Sequence, residues 1–230
     1  MLCKEIQIWG DSIMRGVIYD EARKRYVLLK DSAVALLSQK ILVPVKNFSQ
    51  MARTAPQGLE ALRAQEQDLT GRIVVLEYGG NDCDFDWRAV AEAPGEEHLC
   101  HTPAEAFSFT LEQLVSLVRR RGGTPVLCTL PPLDAHRYLN WITRNGLSRE
   151  NILKFIGVPE RIYRWQEFYS SLVVRAAKAM DCLCLPIRDV FLESVRDEDV
   201  MCLDGIHPNS RGHRLMADAA MEMAAGLFPA

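Results

Sequence analysis

Several features that would mark a membrane, nucleic-acid-binding or disulfide-stapled protein are missing from this chain. It has no run of about 18 apolar residues, the length a bilayer span needs. Its N-terminus, Met1-Leu2-Cys3-Lys4-Glu5, lacks the long apolar core of a secretory signal. Positive charge is not in excess: 27 Lys and Arg stand against 30 Asp and Glu, a net charge of −3. Neither nucleic acid nor an anionic membrane is therefore implied as a partner. Arg119-Arg120-Arg121 ends an expected helix, where it complements the helix dipole. No Cys-x-x-Cys pair occurs, and the seven cysteines are an odd number. Cys128, Cys182 and Cys184 sit in apolar runs, where a free thiol acts as a small hydrophobe. That usage points to a reducing, cytoplasmic setting rather than a disulfide framework. With no internal repeat, low-complexity tract or linker, residues 1–230 read as one domain able to bury a sizeable core.

What is present alternates between two periodicities. Residues 4–9 read as a strand, and the stretch from Ile13 to Tyr26 fits neither period well. Asp31 or Ser32 caps a helix through Gln39, and Pro44 opens a short strand ending at Asn47-Phe48. Residues 56–69 form an amphipathic helix, and Ile73 to Tyr78 is a continuous apolar run, as in a strand covered on both faces. Thr102-Pro103-Ala104-Glu105 is a capping box opening a helix that Gly122-Gly123 stop. A strand from Pro125 to Leu130 follows, then helices over 148–156 and 160–180, a strand from Cys182 to Ile187, a short helix over 189–195 and a last helix from Ser210 to Gly226. Strands alternating with helices imply an α/β fold, a parallel sheet wrapped on both faces. In such sheets ligands sit at the carboxyl ends of the strands. Ser12, the Asn47–Thr54 loop and Gly79-Gly80-Asn81-Asp82 all follow expected strands and so share one rim.

Three pieces carry chemistry. Gly10-Asp11-Ser12 presents a hydroxyl at the mouth of the first strand. Asp204-Gly205-Ile206-His207-Pro208 puts a carboxylate three residues before a histidine on a glycine-containing turn. A serine becomes a good nucleophile when an oriented imidazole takes its proton during attack. The Gly79-Gly80-Asn81-Asp82 turn adds a side-chain amide, the donor type needed where oxyanion charge develops.

These blocks, in this order, resemble those of the SGNH hydrolases, also called the GDSL esterase/lipase family. Gly10-Asp11-Ser12-Ile13 looks like the first block, Gly79-Gly80-Asn81-Asp82 like the third, and Asp204-Gly205-Ile206-His207-Pro208 like the last. The resemblance implies a three-layer α/β/α sandwich with a five-stranded parallel sheet, flavodoxin-like in outline. It implies Ser12 as nucleophile, His207 as general base, Asp204 as the acid orienting the ring, and an oxyanion hole from Asn81 and the backbone N–H of Ser12. The second block, Asn47-Phe48-Ser49-Gln50-Met51-Ala52-Arg53-Thr54, departs from the family pattern, with Ala52 where a glycine completes the oxyanion hole. Alanine keeps an N–H, but its methyl restricts the backbone and takes up space near the acyl carbon.

The expected function is a serine esterase working through an acyl-enzyme on a small-molecule ester, with no cofactor. Ala52 suggests a short acyl group, acetyl on a carbohydrate or small alcohol. The alternatives are a lysophospholipase or acyl-thioesterase, or a non-catalytic flavodoxin-like binding domain. A homo-oligomer is compatible with the sequence. An α/β-hydrolase elbow needs Gly-x-Ser-x-Gly, and Met14 stands at the second glycine's place; strand–helix alternation excludes a chymotrypsin-like fold. Asp82, Asp84 and Asp86 alternate like the start of a calcium loop, but Trp87 and Ala93 replace the required glycine and glutamate, so the stretch reads as a solvated loop. His98 and His101 lack a second ligand pair at zinc spacing, His213 reads as structural, and Asp11 as bonding local backbone. The connection over 134–169 carries Tyr138, Trp141, Phe155, Tyr163, Trp165 and Phe168, and reads equally as a lid or substrate wall and as helical core.

Overall fold

A computed structural model describes residues 3–194 and 199–227. The first strand, β1 (Glu5–Gly10), leads through a single helical turn, α1 (Ser12–Arg15), into an antiparallel hairpin of β2 (Val17–Asp20) and β3 (Arg25–Leu28). Then follow α2 (Ala33–Lys40), β4 (Val45–Asn47), α3 (Ala55–Ala64), β5 (Arg72–Glu77), α4 (Trp87–Glu92), α5 (Ala104–Arg120) and β6 (Thr124–Cys128). The remainder is α6 (Ala135–Thr143), α7 (Arg149–Ile156), α8 (Glu160–Ala179), β7 (Leu183–Leu185), α9 (Ile187–Glu193) and α10 (Ser210–Leu227). Among the described residues no helix is long and apolar enough to cross a membrane.

Five strands form one parallel sheet in the order β4-β1-β5-β6-β7. Period-two alternation divides the core between its faces. Trp9, Val74, Leu76 and Leu127 meet α3, α5 and α8 on one side, while Ile6, Ile8, Ile73, Val75, Val126 and Leu185 meet α2, α9 and α10 on the other. A third cluster joins α4, α6, α7 and the start of α8 through Val90, Leu139, Ile152 and Ile162. The chain leaves β1 for β4 on one side and returns to β5 on the other, so the strand order, not the strand direction, reverses between β1 and β5. At that point the carboxyl ends of neighbouring strands open a crevice.

The structure departs from the sequence reading in several places. The ambiguous stretch after Ile13 is α1 plus the hairpin, whose turn uses Lys24 at φ 50 in place of a glycine. Helix α3 ends at Ala64 rather than 69, because Glu66 at φ 40 swings the chain round to bury Leu69, whose N–H donates to Arg121 O. Helix α5 begins after Pro103 with no side-chain cap, since the hydroxyl of Thr102 is turned to the buried Asp82, where a buried carboxyl needs a donor more than an exposed helix end does. Helix α6 escaped the reading, although Asp134 caps it by accepting from His136 N and Arg137 N. Helix α9 starts two residues before the expected 189, and its expected end at 195 lies outside the described residues.

Candidate active site

Ser12 is the first residue of α1, directly beyond the end of β1. Asp11 caps that turn by accepting from Ile13 N at 2.8 Å, and Gly16 at φ 84 ends it. From the other end of the chain, the Asp204–His207 turn folds around the Asp204 carboxylate, whose Oδ1 accepts from Ile206 N and His207 N, both at 3.1 Å. Gly205 permits the turn's position. Its φ is 75, and a Cβ there would lie 2.6 Å from Asp134 O and 2.7 Å from Tyr138 N, so only glycine lets the turn press against the start of α6.

The two ends meet. His207 Nε2 lies 2.8 Å from Ser12 Oγ, and His207 Nδ1 lies 2.6 Å from Asp204 Oδ2. Ser12 is 7% exposed, His207 3% and Asp204 0%. Burial alone would raise the Asp204 carboxyl. The hydrogen bond and positive charge of His207, with the two backbone donors, outweigh it and hold the group below its ordinary value. An imidazole held this way has one nitrogen fixed by the acid and the other facing the hydroxyl, the arrangement that lets a serine lose its proton as it attacks.

Asn81 reaches the same cavity as Ser12 from the loop after β5. One Nδ2 hydrogen bond goes to Asp11 Oδ2 at 2.8 Å and a long one to Arg53 O at 3.4 Å. Asp11 thus bonds local backbone as expected and also grips the Asn81 amide. Ala52 lies exposed on the loop after β4, outside the residues lining the cavity. Its φ of 58 is in the left-handed region, a conformation glycine adopts freely and alanine only at a cost of about 1 kcal/mol.

Next to Ser12 opens a cavity of about 280 Å³, walled by Phe85, Trp87, Leu133, Phe155, Ile162 and Trp165. Several of the wall's polar groups pair within it, while Arg161, an exposed residue, also lines the cavity. Asp84 accepts from Trp87 Nε1 at 2.8 Å and from Tyr138 OH at 2.7 Å, and burial raises its carboxyl above the usual range. Trp165 Nε1 donates to Cys83 O, and Gln166 Nε2 to Pro131 O. The solvated loop expected over Asp82–Asp86 is therefore a structural hub. Asp82 is fully buried, accepts from Ala55 N at 2.9 Å and is raised by that burial to about 6, while Asp86 caps α4. His98 and His101 bond to Ala93 O and Asn81 O, and His213 is buried with Nδ1 on Ala33 N. Of the aromatics over 134–169, Tyr138, Phe155 and Trp165 line the cavity, while Phe168 packs into the main core and Tyr163 lies under the Arg188 guanidinium.

The hairpin supplies residues that sequence reasoning missed. Tyr26 packs its ring 5.2 Å from the His207 ring, and Tyr19 and Trp141 pack on one another at 4.5 Å beside it. Burial and the nearby Asp204 carboxylate raise the Tyr26 phenol. The β-branched and aromatic runs Val17-Ile18-Tyr19 and Tyr26-Val27-Leu28 were the available signal.

Comparison with known proteins bears on the whole arrangement. The model of the GDSL-like lipase/acylhydrolase family matches residues 8–215. The chain belongs to that family. A GDSL-family lipolytic protein from Veillonella parvula is 18% identical with a TM-score of 0.65, over 95% of this chain and 96% of that one. A lipase/acylhydrolase from Enterococcus faecalis is 18% identical with a TM-score of 0.63, over 97% and 96%. A catalytic mutant of an acetylxylan esterase from Geobacillus stearothermophilus is 18% identical with a TM-score of 0.65, over 96% and 94%. At this identity the structures share the fold of this GDSL-family chain. No curated protein matches it in sequence.

Proposed function

We propose that this GDSL-family protein is a serine hydrolase of carboxylic esters acting through an acyl-enzyme. The observation that carries the proposal is the unbroken, buried chain from Ser12 Oγ to His207 and on to Asp204, with separations of 2.8 and 2.6 Å. Ser12 attacks the ester carbonyl while His207 takes its proton. The imidazolium, balanced by Asp204, then protonates the departing alcohol, and water repeats the cycle on the acyl-enzyme. The developing oxyanion takes donors from the Ser12 backbone N–H and from Asn81, while Ala52, exposed and outside the cavity lining, is left out of the hole. Asn81 has the hydrogen to give, since its contact to Arg53 O is long at 3.4 Å and easily surrendered. The reaction needs no cofactor.

The cavity moves the reading of the substrate. An acetyl group would leave most of its roughly 280 Å³ unfilled, whereas a longer acyl chain buries its methylenes against the apolar part of the wall at about 0.8 kcal/mol each. A longer-acyl ester, of the lysophospholipid or acyl-thioester kind, thus fits better than an O-acetylated carbohydrate, and the 134–169 segment serves as its substrate wall. Labelling with a fluorophosphonate tests the enzyme reading: wild type should be labelled and a folded Ser12→Ala variant should not. An unlabelled wild type favours a non-catalytic binding domain. Hydrolysis of p-nitrophenyl acetate, butyrate and octanoate tests the substrate reading, with octanoate expected to be fastest by kcat/KM; an acetate preference returns it to the short-acyl class.

A further inference from the structure

Beneath the Ser12 turn, two buried carboxyl groups lie side by side, and the triad uses neither. Parallel register sets Gly10 opposite Glu77, the last residue of β5, and so brings Glu77 against Asp11. The contact needs glycine at position 10, where a Cβ would lie 2.9 Å from Glu77 Oε2. Glu77 is 0% exposed. Its Oε2 meets Asp11 N at a long 3.5 Å, and its Oε1 has no hydrogen-bond partner among the described residues.

The chemistry assigns the proton. Both oxygens of Asp11 already accept N–H donors, Oδ1 from Ile13 N and Oδ2 from Asn81 Nδ2, each at 2.8 Å, which suits an ionised carboxylate. Two adjacent buried carboxyls do not both ionise. Glu77 is then the neutral member and gives its proton to a hydrogen bond with Asp11. The groups facing it are acids: Asp11 from the β1–α1 turn, Asp82 from the loop after β5 and the Cys128 thiol from β6, with His207 acting on Asp11 from beyond. Burial drives Glu77 toward the neutral form first, and the charge of Asp11 drives it further.

We propose that protonated Glu77 is a positioning residue: by donating to Asp11 it fixes the carboxylate that both caps the Ser12 turn and holds the Asn81 amide in place for the oxyanion. The role rests on the esterase reading, because it acts only through Ser12 and Asn81. Ionising Glu77 would set two like charges together, since the charged groups acting on it most strongly, Asp11 and Asp82, are both acids, and would disturb the Asn81 amide.

The test compares wild type, Glu77→Gln and Glu77→Leu on the p-nitrophenyl ester wild type hydrolyses fastest, across about pH 6 to 9. Leucine removes the donor at similar volume and should lower kcat on the order of ten- to a hundredfold with KM nearly unchanged. Glutamine still donates but cannot ionise, so it should recover most of that kcat and fall less than wild type on the alkaline side. The role is overturned if glutamine is as slow as leucine at neutral pH, if leucine costs nothing, if KM moves instead of kcat, or if glutamine shares the wild-type alkaline fall in full. Should Glu77→Leu not fold by circular dichroism, the neutral-pH rate and alkaline limb of Glu77→Gln decide alone. A wild type that neither hydrolyses esters nor takes up fluorophosphonate removes the esterase reading and this role with it. An active wild type with any of the contrary variant results removes this role only.

Discussion

On the sheet side of the cavity, Ser12, Asp11 and Asn81 are set by strand register and by short polar contacts, and Glu77 is set by register with one carboxyl oxygen unpartnered among the described residues. On the helical side, Phe85, Phe155 and Trp165 meet through ring contacts, with centroids 5.5 and 6.2 Å apart, and the indole N–H groups of Trp87 and Trp165 are paired within the wall. The first half is unforgiving because hydrogen bonds are directional and a buried group left unpaired costs the full desolvation penalty. The second is adaptable, since apolar contact depends on area more than on direction. Chemistry should therefore reside in the sheet half and substrate preference in the helical half.

Substitutions break or sharpen that contrast, beginning with the strongest. Ser12→Ala should lower kcat for every ester by on the order of 10⁴ or more while leaving the thermal midpoint close to wild type; a residual rate within tenfold of wild type would place the chemistry elsewhere. Asn81→Ala should reduce kcat by on the order of 10²–10³ for short and long esters alike. Trp165→Ala should cost about tenfold in kcat/KM on octanoate and little on acetate, because it removes apolar wall rather than a reacting group. An equal loss on both esters would erase the distinction between the halves. The smallest effect belongs to Ala52→Gly, where relief of the left-handed alanine is offset by a more flexible unfolded chain. A net gain of no more than about 1 kcal/mol is expected in denaturant unfolding, and a clear loss of stability would show that the methyl packs usefully.

The same contrast explains what could be read from the sequence. The buried strands announced themselves through continuous apolar runs, Ser12 and Asn81 stood out because turn residues and chemical residue types coincide at strand ends, and Asp204 and His207 because they share a glycine-containing turn before the last helix. The helical wall was visible only as a string of aromatics. Whether Trp165 lines a cavity or Phe168 fills the core depends on helix packing that sequence spacing does not specify. The β2–β3 hairpin was hidden because its turn, Glu21 to Lys24, has no glycine or asparagine and its strands are half exposed, which blurs the alternation. Glu77 lies within the run from Ile73 to Tyr78 that reads as a covered strand, with nothing in the local sequence to single it out. Its meeting with Asp11 follows from the pairing of Gly10 with Glu77, and register across a parallel pair joined by a long crossover is not written locally.

The central claim, that Ser12 carries the acyl group during turnover, is most directly tested by trapping that species. Wild-type protein mixed with p-nitrophenyl octanoate and quenched rapidly in acid should show, by intact-mass and peptide mass spectrometry, an octanoyl ester on Ser12 that accumulates and decays with turnover. Steady hydrolysis with no adduct, or an adduct on any other residue, would contradict it.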